Sequence, residues 1–226
     1  MSKPILYLAS ASPRRHEILK QLDIPHYVLQ IPEPEGEDEP QLPGELPEDY
    51  VVRIAREKAW RAAQWLNEAT TMDQRQHIKH AHPPSSLQCT DADDSPLTFE
   101  QYYVLSADTT VILKNQVLGK PRDVADAKRT LRALSGTTHH VHTAIALSHQ
   151  GRLSEAVSVS TVQFKDLNDA EIERYCLSGE PMGKAGAYAI QGRAAAFVSH
   201  LSGSFSGVMG LPAYETRALL EQNGFF

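Results

Sequence analysis

Apolar residues occur along this chain in short bursts whose spacing switches between the periods of strands and helices. Ile5–Ala9 is an unbroken apolar run, long enough for a buried strand. Ser10, Ala11, Ser12 and Pro13 interrupt it, and Ser12 suits a helix N-cap with Pro13 at the first helical position. Ile18, Leu19 and Leu22 then follow at helical spacing, so the chain opens as strand, tight turn and helix. Tyr27–Ile31 reads as a second strand, and Pro32–Pro47 as an acidic, proline-rich loop. From about Glu48 to Leu66 a longer helix is predicted, because Val51, Ala55, Ala59, Ala62 and Leu66 fall on one stripe.

Beyond residue 100 the bursts resume. Tyr102–Leu105 reads as a buried strand that Val111–Leu113 continues or re-enters, with Lys114-Asn115-Gln116 turning the chain into Val117-Leu118. Asp123 caps a helix running to Leu134, which Ser135-Gly136 ends. Val141, Thr143, Ile145 and Leu147 alternate, as do Val157, Val159 and Thr161, the pattern of an antiparallel pair. Asn168 and Glu171 have capping-box spacing ahead of a helix that ends near Gly179. A glycine-containing loop covers 179–193, Ala196–Leu201 and Val208-Met209 read as short strands, and Pro212 starts a last helix with Leu219 and Leu220 inward. Strands both alternate with helices and follow one another directly, which predicts a mixed sheet flanked by helices.

One stretch breaks this rhythm. Between Leu66 and Glu100 only six large apolar residues occur, among Pro83-Pro84, Ser85-Ser86 and the acidic run Asp91–Asp94. Such a stretch buries too little surface to offset its ordering entropy and reads as a mobile surface insertion at 66–100. His77, His80 and His82 within it read as incidental rather than as a metal site.

Composition narrows the classes of function. The chain has 226 residues, of which 41% are hydrophobic and 22% charged, enough for one domain with a sizeable core. Its 22 basic and 28 acidic residues give a net charge of −6, which argues against binding long nucleic acid. No apolar run approaches a membrane span and no secretory leader is visible at Met1–Ser10. Cys89 and Cys176 make no disulfide framework, so a cytoplasmic location is expected.

Candidate chemistry lies in a few clusters. Ser10–Arg15 puts Arg14 and Arg15 on the first turn of a helix, the wrong sign for the helix dipole but a good cradle for a phosphate chain. Asp108, immediately after an apolar strand, is expected at a strand end, where it could hold a metal or activate water. Lys120 and Arg122 form a third group, and Arg53 with Lys58 on the long helix a fourth, preceded by the carboxylates Glu33, Glu35, Glu37, Asp38 and Glu39. Gly183–Gly192 forms the fifth. Together they supply what phosphoanhydride cleavage requires: cations for phosphates, and carboxylates for a metal and a water. Gly179–Ala185 is one residue short of a P-loop and has Ala185 where the metal-binding hydroxyl belongs; neither G-x-G-x-x-G nor G-x-S-x-G occurs.

Leu8–Arg15, Ser106–Thr109, Gly119–Pro121, Leu134–Gly136, Lys184–Gly192, Gly203-Ser204 and Gly210–Pro212, in that order, resemble the signature blocks of the Maf family of nucleotide pyrophosphatases. The resemblance covers nearly the whole chain except 66–100. It implies a mixed α/β fold of two lobes with a central cleft, like that of inosine triphosphatases, and often a homodimer. It implies hydrolysis of a nucleoside triphosphate to monophosphate and pyrophosphate with a divalent metal, Mg²⁺ or Mn²⁺. Carried over by position, Asp108 is the catalytic acidic residue, as general base or metal ligand. Ser10, Arg14, Arg15, Lys58 and Lys120 contact phosphates or stabilise the transition state, and Glu35 is the second acidic and metal-binding group, with Glu33 or Glu37 able to substitute. The Lys184…Gln191 block is similar to that of the subgroup acting on dTTP and UTP, and the Gln191 amide suits a pyrimidine's imide edge. Arg14, Lys120 and Gln191 are expected to set specificity, modified pyrimidine triphosphates being further substrates. Two other readings stand beside this one: the same reaction on 7-methyl-GTP or another nucleotide, and a non-catalytic regulator of septum formation.

Overall fold

The computed structural model describes residues 4–31, 40–68, 78–82 and 102–226, with side chains throughout except at 78–82. Ile5–Leu8 forms β1, Pro13–Gln21 α1, His26–Leu29 β2 and Pro47–Glu68 α2. Then come Ile78–His82 (β3), Tyr102–Leu113 (β4), Gln116–Leu118 (β5), Val124–Leu134 (α3), Thr138–His149 (β6) and Arg152–Phe164 (β7). Asp169–Leu177 (α4), two 3₁₀ turns at Ala185–Ala187 and Arg193–Phe197, Val198–Ser202 (β8), Phe205–Met209 (α5) and Ala213–Gln222 (α6) complete the chain. All eight strands belong to one sheet in the order β3-β2-β1-β4-β6-β7-β8, with β5 folded back on β4. β1 runs parallel to both β2 and β4, and the remaining pairs are antiparallel. The expected mixed sheet with flanking helices is therefore present. Its β3 falls within the stretch read as a polar excursion, most of which lies outside the described residues.

Local chemistry explains the element ends. Asp123 caps α3 by accepting from the Asp126 N–H at 2.7 Å, and Asn168 with Glu171 completes the capping box of α4. α2 lies close on the sheet because its inward stripe is small: Ala55 and Ala59 meet Ala144 and Ala146 of β6.

Two points that spacing left open are settled and one expectation is corrected. Tyr102–Leu105 and Val111–Leu113 are parts of one 12-residue strand, because β6 pairs with β4 from Tyr103 through Ile112 and carries it across the polar centre. In β7 the expected alternation and antiparallel pairing are present, and its faces are set with Ser158 and Ser160 buried and Val157 and Val159 exposed. Ser160 is inward because its hydroxyl donates to the Ser204 carbonyl and accepts from the Ser204 N–H, bonds that valine could not make. Val208-Met209 ends a short helix rather than forming a strand; Ser204 caps it, accepting from the Gly207 N–H at 3.0 Å.

Candidate active site

β1 stops at Leu8, opposite Leu105, with a last rung from the Ala9 N–H to the Leu105 carbonyl. β4 continues past that point, so beyond Leu105 both of its faces border a cleft of about 1040 Å³. This corrects the expected place of Asp108. It lies in the middle of a strand, yet just past the carboxyl end of parallel β1, where α/β sheets leave room for ligands. The other walls are the starts of α1 and α2's inner flank, the end of β2, the Gly119-Lys120 turn and the 183–191 loop.

On the α2 face, Asp108 is 6% exposed, and its Oδ1 accepts from Lys58 Nζ at 2.8 Å. Lys58 sits one helical turn past the buried Ala55, whose carbonyl accepts from Ser106 Oγ at 2.6 Å, which sets helix against strand. Thr110, two residues on and on the same face, donates to Asp108 Oδ2 at 3.4 Å.

On the α1 face, Arg15 Nε donates to the Gly210 carbonyl at 2.8 Å and its NH1 to Ser10 Oγ at 3.0 Å. Its NH2 reaches Thr109 Oγ1 at 3.5 Å, which lies 3.0 Å from Thr143 Oγ1. Thr143 has a single hydroxyl proton and the Gly207 carbonyl 2.7 Å away can only accept, so Thr109 donates to Thr143 and Thr143 to Gly207. Arg14 Nε donates to the Met209 carbonyl at 3.1 Å. Both arginines thus tie α1 to the turn after α5 while their heads stay at the cleft.

Ser12 stands at the N-cap of α1 but makes no cap bond with its side chain; instead its N–H donates to Ser10 Oγ at 3.2 Å. The first turn holds no acidic residue. An uncapped nine-residue helix opening onto a cleft between two guanidinium groups is suited to an anion.

The far wall carries Lys184 and Gln191. Burial first, and then the Arg14 charge, lowers the Lys184 pKa, and burial lowers that of Arg14. Lys120 and Gln191 are exposed and make no hydrogen bond or ion pair among the described residues. The Gly186 N–H donates to the Gly119 carbonyl at 3.1 Å, joining this loop to the Lys120 turn.

Eight expected site residues therefore line one cleft: Ser10, Arg14, Arg15, Lys58, Asp108, Lys120, Lys184 and Gln191. Glu35, with Glu33 and Glu37, lies outside the described residues. Arg53 does not join the site. It is bound to Glu45 at 2.6 Å and to Glu57 at 3.1 Å, tying the segment before α2 to that helix, and its hydrogen bond holds Glu45 down to about 2. Arg122 lines the cleft but pairs with Asp126 at 3.2 Å.

Tyr188, within the expected Gly183–Gly192 cluster, also lines the cleft, as do Gln30, Tyr50 and Arg61, which were not anticipated. Arg61 could have been found, being three residues past Lys58 on α2 and so on the same helical flank. Gln30 follows a parallel strand's carboxyl end, which is also a readable signal.

The expected divalent cation can be tested against the donors present. Among the described residues no group of three or more His, Cys, Asp or Glu could cage a metal. Asp126, the other described carboxylate in the lining, is engaged by Arg122 and Arg129. Asp108 with the neighbouring threonine hydroxyls provides hard oxygen donors but too few for a closed site. That set fits an ion such as Mg²⁺, which is held by one or two carboxylates, waters and phosphate oxygens of the substrate.

The model of the family described as Maf-like protein matches residues 5–223. A protein of Bordetella parapertussis named dTTP/UTP pyrophosphatase is 54% identical over 98% of this chain and 93% of its own length. Proteins of the same name from Nitrosomonas europaea and Xanthomonas campestris are 44% and 45% identical, each over 97% of this chain and over 94% and 99% of their own lengths.

Proposed function

The chain belongs to the Maf-like protein family, and we propose that it is a nucleoside triphosphate pyrophosphatase that hydrolyses dTTP and UTP to the monophosphate and pyrophosphate. The observation that carries this reading is the meeting of Asp108, Lys58 and the six other expected side chains in one cleft. The names of the aligned relatives favour the pyrimidine substrates over 7-methyl-GTP and favour an enzyme over a non-catalytic septum regulator.

The residues divide the work by position. Arg14, Arg15 and the open α1 N-terminus receive the phosphate chain together with Lys120, while Lys184 stands with Gln191 at the base. These cations draw charge off the leaving pyrophosphate as the bond between the α and β phosphates opens. Asp108 takes the proton of the attacking water, and Lys58 fixes the orientation of its carboxylate. Asp108 would also hold a divalent cation, Mg²⁺ or Mn²⁺, which supplies charge neutralisation and a more acidic bound water. Glu35 is the proposed second acidic group. Gln191 pairs with the pyrimidine's imide edge through its amide.

A net charge of −6 around a cationic cleft suits a small polyanion and disfavours polymeric nucleic acid. Among the described residues no helix is long and apolar enough to cross a membrane. The proposal includes a cytoplasmic location, where such triphosphates occur, a single catalytic unit comprising the whole chain, and a homodimer.

The test is a panel of nucleoside triphosphates at equal concentration with Mg²⁺ or Mn²⁺ and product identification. Pyrophosphate from dTTP and UTP in preference to other bases, abolished by a chelator, is the expected result. Orthophosphate alone, or preference for a purine triphosphate, refutes the reading.

A further inference from the structure

The loop that presents Lys184 and Gln191 makes two backbone bonds of its own, from the Ala187 N–H to the Lys184 carbonyl at 2.9 Å and from the Gly192 N–H to the Ala189 carbonyl at 3.0 Å, and is further held by side chains around it. Gly186 and Ala187 are both left-handed, at φ 67° and 59°; glycine accepts this freely, but Ala187 has a Cβ and is strained there, so its surroundings must hold it. Two tyrosines provide that constraint. Tyr175 Oη accepts from the Ala189 N–H at 3.2 Å and donates to Glu180 Oε1 at 3.0 Å. Tyr188, directly after the left-handed pair, lies 2.9 Å from His139 Nε2 on β6.

His139 is 1% exposed and Tyr188 6%, and the His139 ring stands edge-on to Phe164 and Tyr188. Burial pushes the His139 imidazole down to about 4, so it is neutral at ordinary pH. Its Nδ1 is buried without a hydrogen-bond partner, so the bond between Nε2 and Tyr188 Oη is the one that this ring makes. A buried polar pair inside an apolar cluster specifies geometry where an apolar contact would allow the loop to slide.

We propose that His139 is a positioning residue for nucleobase selection: by holding Tyr188 it fixes the strained 184–191 loop, so that Lys184 and Gln191 enter the cleft as a preset pair. The proposal rests on the pyrimidine triphosphate reading above. Lys184 and Gln191 make no hydrogen bond to the Asp108–Lys58 pair, so loosening them weakens the hold on the base equally in ground and transition states. That change appears in KM and not in kcat.

The experiment compares His139→Leu and Tyr188→Phe, which each remove the bond, with His139→Gln, which restores a hydrogen-bonding group of similar reach. Both kinetic constants are measured for dTTP, UTP and a purine triphosphate. His139→Leu and Tyr188→Phe are expected to raise KM for the pyrimidines about five- to tenfold, with kcat within about twofold. Selectivity over the purine should fall by a similar factor, and His139→Gln should recover most of it. An equal fall of kcat on every triphosphate, or unchanged selectivity in both variants, overturns the proposal. Should His139→Leu fail to fold, Tyr188→Phe, which keeps the buried ring, decides. A wild-type enzyme with no pyrimidine preference refutes the functional reading instead. The selectivity ratio is then formed on the base that it does prefer, and an unchanged ratio again overturns the positioning role.

Discussion

Replacing Asp108 with asparagine tests the centre of the site with almost no change of shape. The Asn amide oxygen can still accept from Lys58 Nζ, so the 2.8 Å contact survives as a hydrogen bond and the charge is lost. At that separation and an effective dielectric of about 20, the lost Coulomb attraction is about 6 kcal/mol. Against it stands the cost, several kcal/mol, of having desolvated a carboxylate that is 6% exposed, which the amide avoids. The Lys58 side chain is 18% exposed and can rehydrate at the cleft. The net loss of stability should therefore be small, about 1–2 kcal/mol, below the 3–5 kcal/mol of a fully buried pair broken on one side. Turnover should respond far more, by about 10²–10⁴, because no other described carboxylate in the cleft is free of an arginine partner to accept the proton. Pyrophosphate release from dTTP and thermal unfolding of the same preparation separate the two effects. Turnover within tenfold of wild type, whatever the Tm, would refute the assignment and leave Asp108 as a structural partner of Lys58.

Other outcomes follow from the same geometry. Lys120→Ala should leave stability within about 0.5 kcal/mol, because the side chain is exposed and unpaired among the described residues, while KM for dTTP rises; denaturant titration and initial rates check both. Gly186→Ala should cost about 1–3 kcal/mol and weaken pyrimidine preference, since a Cβ there meets both Val111 methyls at 2.9 Å; calorimetry with the nucleotide panel tests it. The neutral, buried His139 makes stability pH-dependent in a definite sense. Above about pH 6.5 neither state is protonated and its contribution is constant; as pH falls from about 6.5 to about 4 the unfolded chain takes up a proton that the folded chain refuses. Unfolding free energy should then drop by about 3 kcal/mol across that window, a drop missing from His139→Gln and measurable by urea titration at each pH.

The elements with one repeated signal were legible. The stripe of α2, the caps at Asp123 and Asn168, and the β6–β7 hairpin all follow from spacing and local hydrogen bonding, and their neighbours in sequence are their neighbours in space. What spacing left open was decided where a tertiary partner acted on the local preference. Ser158 and Ser160 turned inward and Val157 and Val159 outward because hydrogen bonding at Ser204 outweighed hydrophobic order. β4 ran on through Ser106–Thr110 because β6 supplied the ladder.

The amino-acid sequence by itself determined the chemistry of the site: a serine–arginine turn, an aspartate, scattered lysines and a glutamine, in an order that identified the family. It could not determine how they meet. Lys58 and Asp108 are 50 residues apart along the chain, and Arg15 and Gly210 are 195 apart. Their contacts exist because small alanines let α2 approach β4 and because β1 stops where β4 does not. The division between Arg53, tied down by Glu45 and Glu57, and Lys58, turned to the cleft, was likewise decided only by packing. Local sequence specifies which groups are present and which short elements carry them. Distances between groups remote in sequence are set by the whole folded core, because only there do burial and hydrogen bonding at many sites act on one geometry together.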